Sequence, residues 1–190
     1  MAKRGETRRR IVETTVSLLQ TQGLNGTGLL QVLEEAGAPR GSLYFHFPGG
    51  KEELTAEAVD YAREAIVTWL RKSLDAHDSP LAAFQAITER YARRLERSDF
   101  AEGCPVAAVA LEGTPGSERL RLAAETALAA WEDLLTDYLE RHGLAAEAAR
   151  DLATNFLCSL EGGLVLARAR RSAAPLRAVS AQLRWLLPAS

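Results

Sequence analysis

Cysteine, histidine and long apolar runs are scarce in this sequence of 190 residues, and each scarcity excludes a class of protein. Two cysteines, Cys104 and Cys158, form no metal-type cluster and make a weak case for a disulfide. The three histidines are scattered without ligand spacing, and there is no HExxH motif. No run of about 18 apolar residues occurs, so no membrane span is predicted. We therefore expect no metal, no cofactor and no membrane partner.

Catalytic patterns are missing as well. Serine, histidine and acidic residues are present, but no spacing orders them into a triad and no carboxylate pair has a fixed geometry. We predict that the protein is not an enzyme; the alternative, an α-helical hydrolase, would need a turnover that no motif predicts. The polar stretch from Met1 to Thr7 is unlike a signal peptide, which favours a reduced, cytoplasmic protein.

Charge is unevenly divided along the chain, although the formal net charge is only −2. Residues 1–51 contain seven Lys/Arg and four Asp/Glu, a net charge of +3. The remaining residues contain 16 and 21, a net charge of −5. A basic N-terminal end favours phosphate binding, and a solvated basic tail is the alternative.

Apolar residues recur at helical spacing throughout, and no strand-like alternation or internal repeat occurs. Gly, Pro and Ser clusters separate the periodic segments. The spacing predicts an all-α protein with helices over residues 6–22, 27–36, 40–46, 51–76, 80–97, 105–112, 118–142 and 145–171, and a last one carrying Leu176 to Leu187.

Residues 27–51 predict two short helices joined by a tight turn. The first helix has one apolar face, formed by Leu29, Val32, Leu33 and Ala36. Thr27 stands before it as a predicted N-cap, and Gly37 follows it where a left-handed residue is needed. Pro39 then opens a second helix over residues 40–46. This is a helix-turn-helix, whose second helix enters the DNA major groove.

The same residues carry a resemblance. The run AGAPRGSLY at 36–44, with FHF at 45–47 and GKEEL at 50–54, resembles the DNA-binding motif of TetR-type bacterial repressors. GCPV at 103–106 and EGGL at 161–164 resemble, more loosely, the branch that includes the lincomycin-resistance repressors. The resemblance implies an all-α homodimer with a three-helix DNA-binding domain at 1–50 and a larger helical ligand-binding and dimerisation domain at 51–190.

By this resemblance, the DNA contacts come from the recognition helix and its flanks. The expected residues are Thr27, Arg40, Gly41, Ser42, Tyr44, His46 and Lys51. Thr27 and Lys51 would contact the DNA backbone, and Tyr44 and His46 phosphates or base edges. A core aromatic is the alternative for Tyr44, and a solvated ring for His46.

The middle helices contain candidates for a small-molecule pocket, which needs aromatic walls and a few polar groups. They are Phe84, Tyr91, Phe100, Cys104, Trp131, Asn155 and Phe156. We favour Tyr91, Trp131 and Phe156 as walls and Asn155 as the polar anchor, while plain core packing is the alternative for each aromatic. The two cysteines are expected to be small buried hydrophobes, and a redox sensor would require exposure.

The last two helices are more apolar than one chain requires. The candidate dimer interface consists of Leu152, Leu160, Gly163, Ala167, Leu176, Val179 and Leu183. The pair Gly162-Gly163 costs about 1 kcal/mol per residue against alanine, which indicates close packing of another helix. A homodimer through a four-helix bundle explains both observations; packing within the monomer is the alternative.

Taken together, the sequence predicts a ligand-responsive repressor. Its dimer would bind a near-palindromic operator in double-stranded DNA and be released by a small apolar or aromatic effector. Gly28 and Pro39 stand where the family usually has hydroxyl residues. They allow an alternative, a small-molecule-binding helical dimer without sequence-specific DNA binding.

Overall fold

The computed structural model describes residues 4–113 and 115–187, and every regular element in these residues is an α-helix. The predicted all-α fold is therefore confirmed. None of the described helices combines the length and the hydrophobicity that a membrane span requires. The helices are α1 (Arg4–Gly26), α2 (Leu29–Glu35), α3 (Ser42–His46), α4 (Gly50–Asp75), α5 (Pro80–Arg97), α6 (Pro105–Glu112), α7 (Glu118–Arg141), α8 (Ala146–Arg170) and α9 (Ala174–Leu186).

Two helices begin where local capping signals place them. α5 starts at Pro80 behind Ser79, whose Oγ accepts a hydrogen bond from the backbone N–H of Ala82 at 3.3 Å. α6 starts at Pro105 behind Cys104, whose Sγ accepts from the N–H of Ala107 at 3.4 Å. Proline suits a first helical position because its nitrogen needs no hydrogen-bond partner there. Both starts agree with the predicted helices.

The end of α1 is closed by a residue from a distant part of the chain. The helical backbone is interrupted at Gly23, where φ is 73°, a left-handed value that favours glycine. Beyond it, the N–H of Asn25 donates to Oε2 of Glu112 at 2.7 Å. The Glu112 carboxylate also occupies the space where Gly23 would carry a Cβ. The last residue of α6 therefore stabilises the turn between α1 and α2.

The chain divides into two compact units. The N-terminal unit contains the chain up to Glu64 together with Cys104–Leu128; the C-terminal unit contains Ala65–Gly103 and the chain from Ala129 onward. The chain passes from one unit to the other within α4, in the loop between α5 and α6, and within α7, and not at residue 50. Domains at 1–50 and 51–190 stay a prediction. The core of the N-terminal unit includes Ile11, Leu19, Val32, Leu33, Leu43, Phe47, Leu54 and Val59.

The C-terminal unit is built around packed aromatic rings. The centroid of Phe84 lies 4.4 Å from that of Phe156 and 6.5 Å from that of Tyr138. α8 and α9 approach closely at Gly163, where a Cβ would lie 3.0 Å from Cδ2 of Leu176. Aliphatic side chains complete this core, among them Leu135, Leu139, Leu160, Leu164 and Leu183.

Candidate nucleic-acid interface

The turn that joins α2 to the recognition helix α3 depends on a glycine. Gly37 has φ = 59°, and its N–H donates to the carbonyl of Glu34 at 3.0 Å. The N–H of Ala38 donates to the carbonyl of Leu33 at 2.8 Å. This pair of bonds is the Schellman motif, in which a left-handed residue satisfies the last helical carbonyls. The predicted helix end at Gly37 is confirmed.

α3 is shorter than predicted, because its first turn is not helical. The predicted helix covered residues 40–46, whereas α3 begins at Ser42. Both the N–H and the Oγ of Ser42 donate to the carbonyl of Pro39, the former at 2.9 Å, which closes a turn through Arg40 and Gly41. Arg40 and Gly41 therefore lie on an exposed turn in front of the recognition helix.

α3 presents two aromatic side chains to solvent and anchors itself with two apolar ones. Leu43 and Phe47 are 3% and 0% exposed, as their spacing predicts. Tyr44 and Phe45 are 66% and 58% exposed. The half-buried ring of His46 contacts Phe45 edge-on, with centroids 5.0 Å apart. The outer side of the recognition helix is therefore aromatic, and the core alternative for Tyr44 is wrong.

The prediction that Thr27 caps α2 is wrong. Gly28 is the N-cap of α2, and no side chain bonds to the cap position. Thr27 is 3% exposed, and its hydroxyl donates to the carbonyl of Gly23 at 2.6 Å. The left-handed backbone at Gly23 places this carbonyl close to Thr27. The threonine side chain therefore points into the α1–α2 turn. The hydroxyl proton of Thr27 is used within the chain, and its contact with the DNA backbone stays a prediction.

The basic side chains near the motif differ in the hydrogen bonds that they form within the chain. Lys51 donates from Nζ to the carbonyl of Leu24 at 2.8 Å. Arg10 donates from Nη2 to the carbonyl of Gly37 at 3.4 Å, so it contacts the motif turn. Arg40 is exposed, and no group in the described chain forms an ion pair or hydrogen bond with its guanidinium. Arg40 is therefore free to bind an anion.

Arg8 is held within the N-terminal unit and adds little to a phosphate-binding surface. Its guanidinium forms an ion pair with Glu57 and lies 5.0 Å from the ring centroid of Phe47. Burial raises the pKa of the Glu57 carboxyl above its usual range, although Arg8 opposes this shift. Arg8 therefore joins α1 to α4.

The predicted pocket residues on α5, α7 and α8 lie in different parts of the C-terminal unit. Phe84 and Phe156 pack against each other in the core, and Trp131 is 3% exposed. Tyr91 lines a cavity of about 170 Å³ between α4 and α5. Asn155 and Phe156 line another, of about 250 Å³, between α8 and α9. Phe84 and Trp131 are therefore buried in the single chain, and their role as pocket walls stays a prediction.

The remaining pocket candidates lie at the ends of elements. Phe100 is half-buried in the loop after α5 with φ = 61°, and its N–H donates to the carbonyl of Leu95 at 2.7 Å. Cys104 is half-buried, and Cys158 is exposed on α8. The expectation that Cys158 is buried is therefore wrong, since it lies on the side of α8 that the chain does not cover.

Most of the predicted dimer residues are covered by the chain itself. Leu152 and Val179 are half-buried in the groove between α8 and α9. The other five are buried within the C-terminal unit of the single chain, and their assignment to an interface stays a prediction: Leu160, Gly163, Ala167, Leu176 and Leu183. The close helix packing that Gly163 predicts is present, but the packed helix is α9 of the same chain.

Two sets of exposed residues escaped the sequence reasoning. Phe45 follows from spacing alone, because a helix that buries Leu43 and Phe47 turns the position between them outward. Val165 and Trp185, on α8 and α9, are 63% and 74% exposed. The spacing of apolar residues along α8 and α9 does not distinguish these two exposed residues from their buried neighbours.

Comparison with known proteins assigns both parts of the chain. Residues 80–182 match the family described as "Transcriptional regulator LmrA/YxaF-like, C-terminal domain", and residues 11–58 match "Bacterial regulatory proteins, tetR family". The HTH-type transcriptional regulator YxaF of Bacillus subtilis (strain 168) is 35% identical over 183 residues, covering 96% of each chain. The HTH-type transcriptional regulator Rv0196 of Mycobacterium tuberculosis (strain ATCC 25618 / H37Rv) is 37% identical over 185 residues, covering 95% of this chain and 93% of that one.

A solved structure shares the fold. The regulatory protein TetR from Rhodobacter sphaeroides superposes with a TM-score of 0.86 at 20% identity, covering 95% of this chain and 98% of that one. The two sequence relatives are transcriptional regulators, which confirms that this protein is not an enzyme. The chain belongs to the TetR family of DNA-binding transcriptional regulators, in its LmrA/YxaF-like branch.

Proposed function

We propose that this regulator is a cytoplasmic, homodimeric repressor that binds a near-palindromic operator and is released by a small effector with an aromatic or apolar body. The observation that carries the proposal is the two-sided character of α3. Its inner residues Leu43 and Phe47 are buried, while Tyr44 and Phe45 are more than half exposed. A helix of five residues cannot persist alone, so these anchors hold its outer side ready for a partner.

The DNA contacts proposed for this surface come from Arg40, Gly41, Tyr44, His46 and Lys51. Arg40 can bind a phosphate or a guanine edge with two parallel hydrogen bonds. At Gly41 no atom lies within 4 Å of the position of a Cβ, which leaves the backbone open to close approach. Tyr44 and His46 position the helix on phosphates. Lys51 donates one N–H of its ammonium group to the carbonyl of Leu24, and the other two can donate to a phosphate.

Ser42 has a different role in this proposal. Its hydroxyl donates to the carbonyl of Pro39, so the proton is used within the motif. Its oxygen keeps only its lone pairs, which repel a phosphate. Ser42 therefore sets the geometry of the turn that carries Arg40 and Gly41.

The proposed dimer uses the outer sides of α8 and α9. Val165 and Leu166 are 63% and 46% exposed, and Trp185 and Leu186 are 74% and 52% exposed. Gly162 adds an open position with no atom within 4 Å of its Cβ site. Large exposed apolar residues on neighbouring helices are typical of interaction surfaces. A two-fold dimer would place its recognition helices about 34–36 Å apart, or a multiple of this.

Release requires that the effector and the operator prefer different conformations of the dimer. α4 supports such a coupling, because this one helix begins three residues after Phe47 and continues into the C-terminal unit. A ligand held by the C-terminal part of α4 therefore acts on the same helix that carries Lys51.

The test is fluorescence anisotropy with labelled DNA from the region upstream of the gene, at two salt concentrations and with a scrambled duplex. We expect sequence-preferring binding whose affinity falls steeply with salt. Arg40→Gln should weaken it about tenfold or more, since a bidentate contact is worth about 1–3 kcal/mol. Arg150→Gln on α8 is the matched control and should leave the affinity unchanged.

Weak binding that ignores sequence and is equal for wild type and Arg40→Gln would contradict the repressor. It would favour the alternative of a small-molecule-binding dimer whose head does not recognise an operator.

A further inference from the structure

We propose that the C-terminal unit binds planar aromatic anions at a cleft between α4 and α5, centred on Trp69 and Arg90. The inference rests on the proposed ligand response and names the chemical class of the effector. Two cavities, of about 170 and 330 Å³, both have Trp69 and Arg90 in their walls. The first is also lined by Ala65, Ile66, Tyr91 and Arg94. The second is also lined by Ser73, His77, Ala86, Arg93 and Arg97.

The apolar part of the cleft suits a flat ring. The half-buried rings of Trp69 and Tyr91 meet edge to face, with centroids 5.7 Å apart and planes at 86°. Ala65 and Ile66, one helical turn before Trp69 on α4, complete this wall. Perpendicular rings form a corner, and a planar aromatic ligand can stack on one ring while its edge meets the other.

The charge of the cleft has one sign. Four arginines line the two cavities, and none of the lining residues, all of which are described, carries a carboxylate. Arg94 donates from Nε to Oε2 of Glu102 at 2.5 Å, and Arg93 lies 3.8 Å from Glu89. For Arg90 and Arg97, in contrast, the described part of the chain offers no carboxylate within ion-pair distance. Two guanidinium groups therefore face the cleft without a counter-ion.

Arg90 is the residue that connects the ring to the charge. Its guanidinium carbon lies 4.6 Å from the ring centroid of Trp69, a cation–π arrangement that holds the group in place. A guanidinium group binds a carboxylate with two parallel hydrogen bonds. A ligand that places its ring on Trp69 and its anion on Arg90 satisfies both. A neutral ligand of the same shape satisfies only the first.

The test is isothermal titration calorimetry of the full-length protein with 2-naphthoate and its neutral analogue 2-naphthamide. We expect 2-naphthoate to bind about tenfold to a hundredfold more tightly, the range of a charge-assisted hydrogen bond. Arg90→Gln should bring the two affinities together by weakening only the anion. Trp69→Leu should weaken both probes. Arg150→Gln, an arginine on α8 that pairs with Asp133, is the matched control and should keep the preference.

Three results would overturn the site: equal affinity of the two probes for wild type, a preference that survives Arg90→Gln in a variant with unchanged circular dichroism, or no heat of binding with either probe. None of these measurements involves DNA. Tight binding of 2-naphthoate that leaves the operator complex intact would support the site and contradict the proposed ligand-dependent release.

Discussion

Replacing Gly37 by alanine tests whether the helix-turn-helix depends on one left-handed residue. Gly37 has φ = 59°, and no atom lies within 4 Å of the position of its missing Cβ. The new methyl group therefore meets no neighbour, and the change acts on the backbone alone. We expect Gly37→Ala to destabilise the protein without altering its packing.

The size of the effect follows from the backbone angle. A left-handed conformation costs an ordinary residue about 1–2 kcal/mol. Alanine also lowers the conformational entropy of the unfolded chain, which by itself stabilises the folded state by about 0.4–1 kcal/mol. This stabilisation offsets only part of the cost, because the native angle is incompatible with alanine. The net loss is about 1 kcal/mol, which lowers Tm by about 2–4 °C in a chain of this size. Gly37→Asn should lose less, because asparagine visits this region more readily.

The assay is guanidinium chloride unfolding followed by far-UV circular dichroism, at equal protein concentration for all variants. The three proteins should share one dependence of unfolding free energy on denaturant concentration. The midpoint concentration should be highest for wild type, lower for Gly37→Asn and lowest for Gly37→Ala. If alanine costs nothing, or if asparagine costs as much as alanine, the left-handed backbone at Gly37 is not what holds the turn.

Substitutions at two other glycines and on the exposed side of α9 test the proposed contacts. Gly41 has φ = −70°, so Gly41→Ala should change the free energy of unfolding by less than about 1 kcal/mol. It should nevertheless weaken operator binding about tenfold in fluorescence anisotropy, because the new Cβ points into open space where DNA would lie. Gly163→Ala should be more favourable by about 1–3 kcal/mol in a Leu176→Ala background than in wild type, because the crowding Cδ2 is gone; additive unfolding energies would contradict this. Trp185→Glu should raise the dimer dissociation constant at least about tenfold in sedimentation equilibrium, and an unchanged constant would remove α9 from the interface.

Much of the fold could be predicted because its signals are local. Ser79-Pro80 marks the start of α5, because the serine oxygen caps the helix and proline lacks an N–H where the helix offers no acceptor for one. Gly37 ends α2 because few other residues adopt its backbone angle. Leu43 and Phe47 are buried since a spacing of four places both on one side of a helix.

The errors arise where the answer depends on residues distant in sequence or on a second geometry open to the same side chain. Thr27 can cap the helix that follows or bond to the carbonyl four residues before it, and the break at Gly23 favours the latter. An apolar face on α8 must be covered, but periodicity does not say by which chain; at Gly163 the cover is α9.

The cleft at Trp69 and Arg90 illustrates the same limit. The two residues lie on different helices, and each alone reads as an ordinary member of an amphipathic face. Only the packing of α4 against α5 brings the guanidinium over the ring. The candidate Tyr91 lines this cleft, whereas Phe84 and Phe156 pack against each other in the aromatic core.

The contact between Glu112 and the α1–α2 turn sets when this part of the chain can be stabilised during synthesis. The acceptor for the Asn25 amide lies 87 residues further along the chain. At about 5–20 residues per second, the ribosome releases this carboxylate several seconds after the turn that it stabilises. A nascent chain therefore displays its recognition helix before the supporting helix α6 exists, and a fragment that ends at residue 50 permanently remains in that incomplete state.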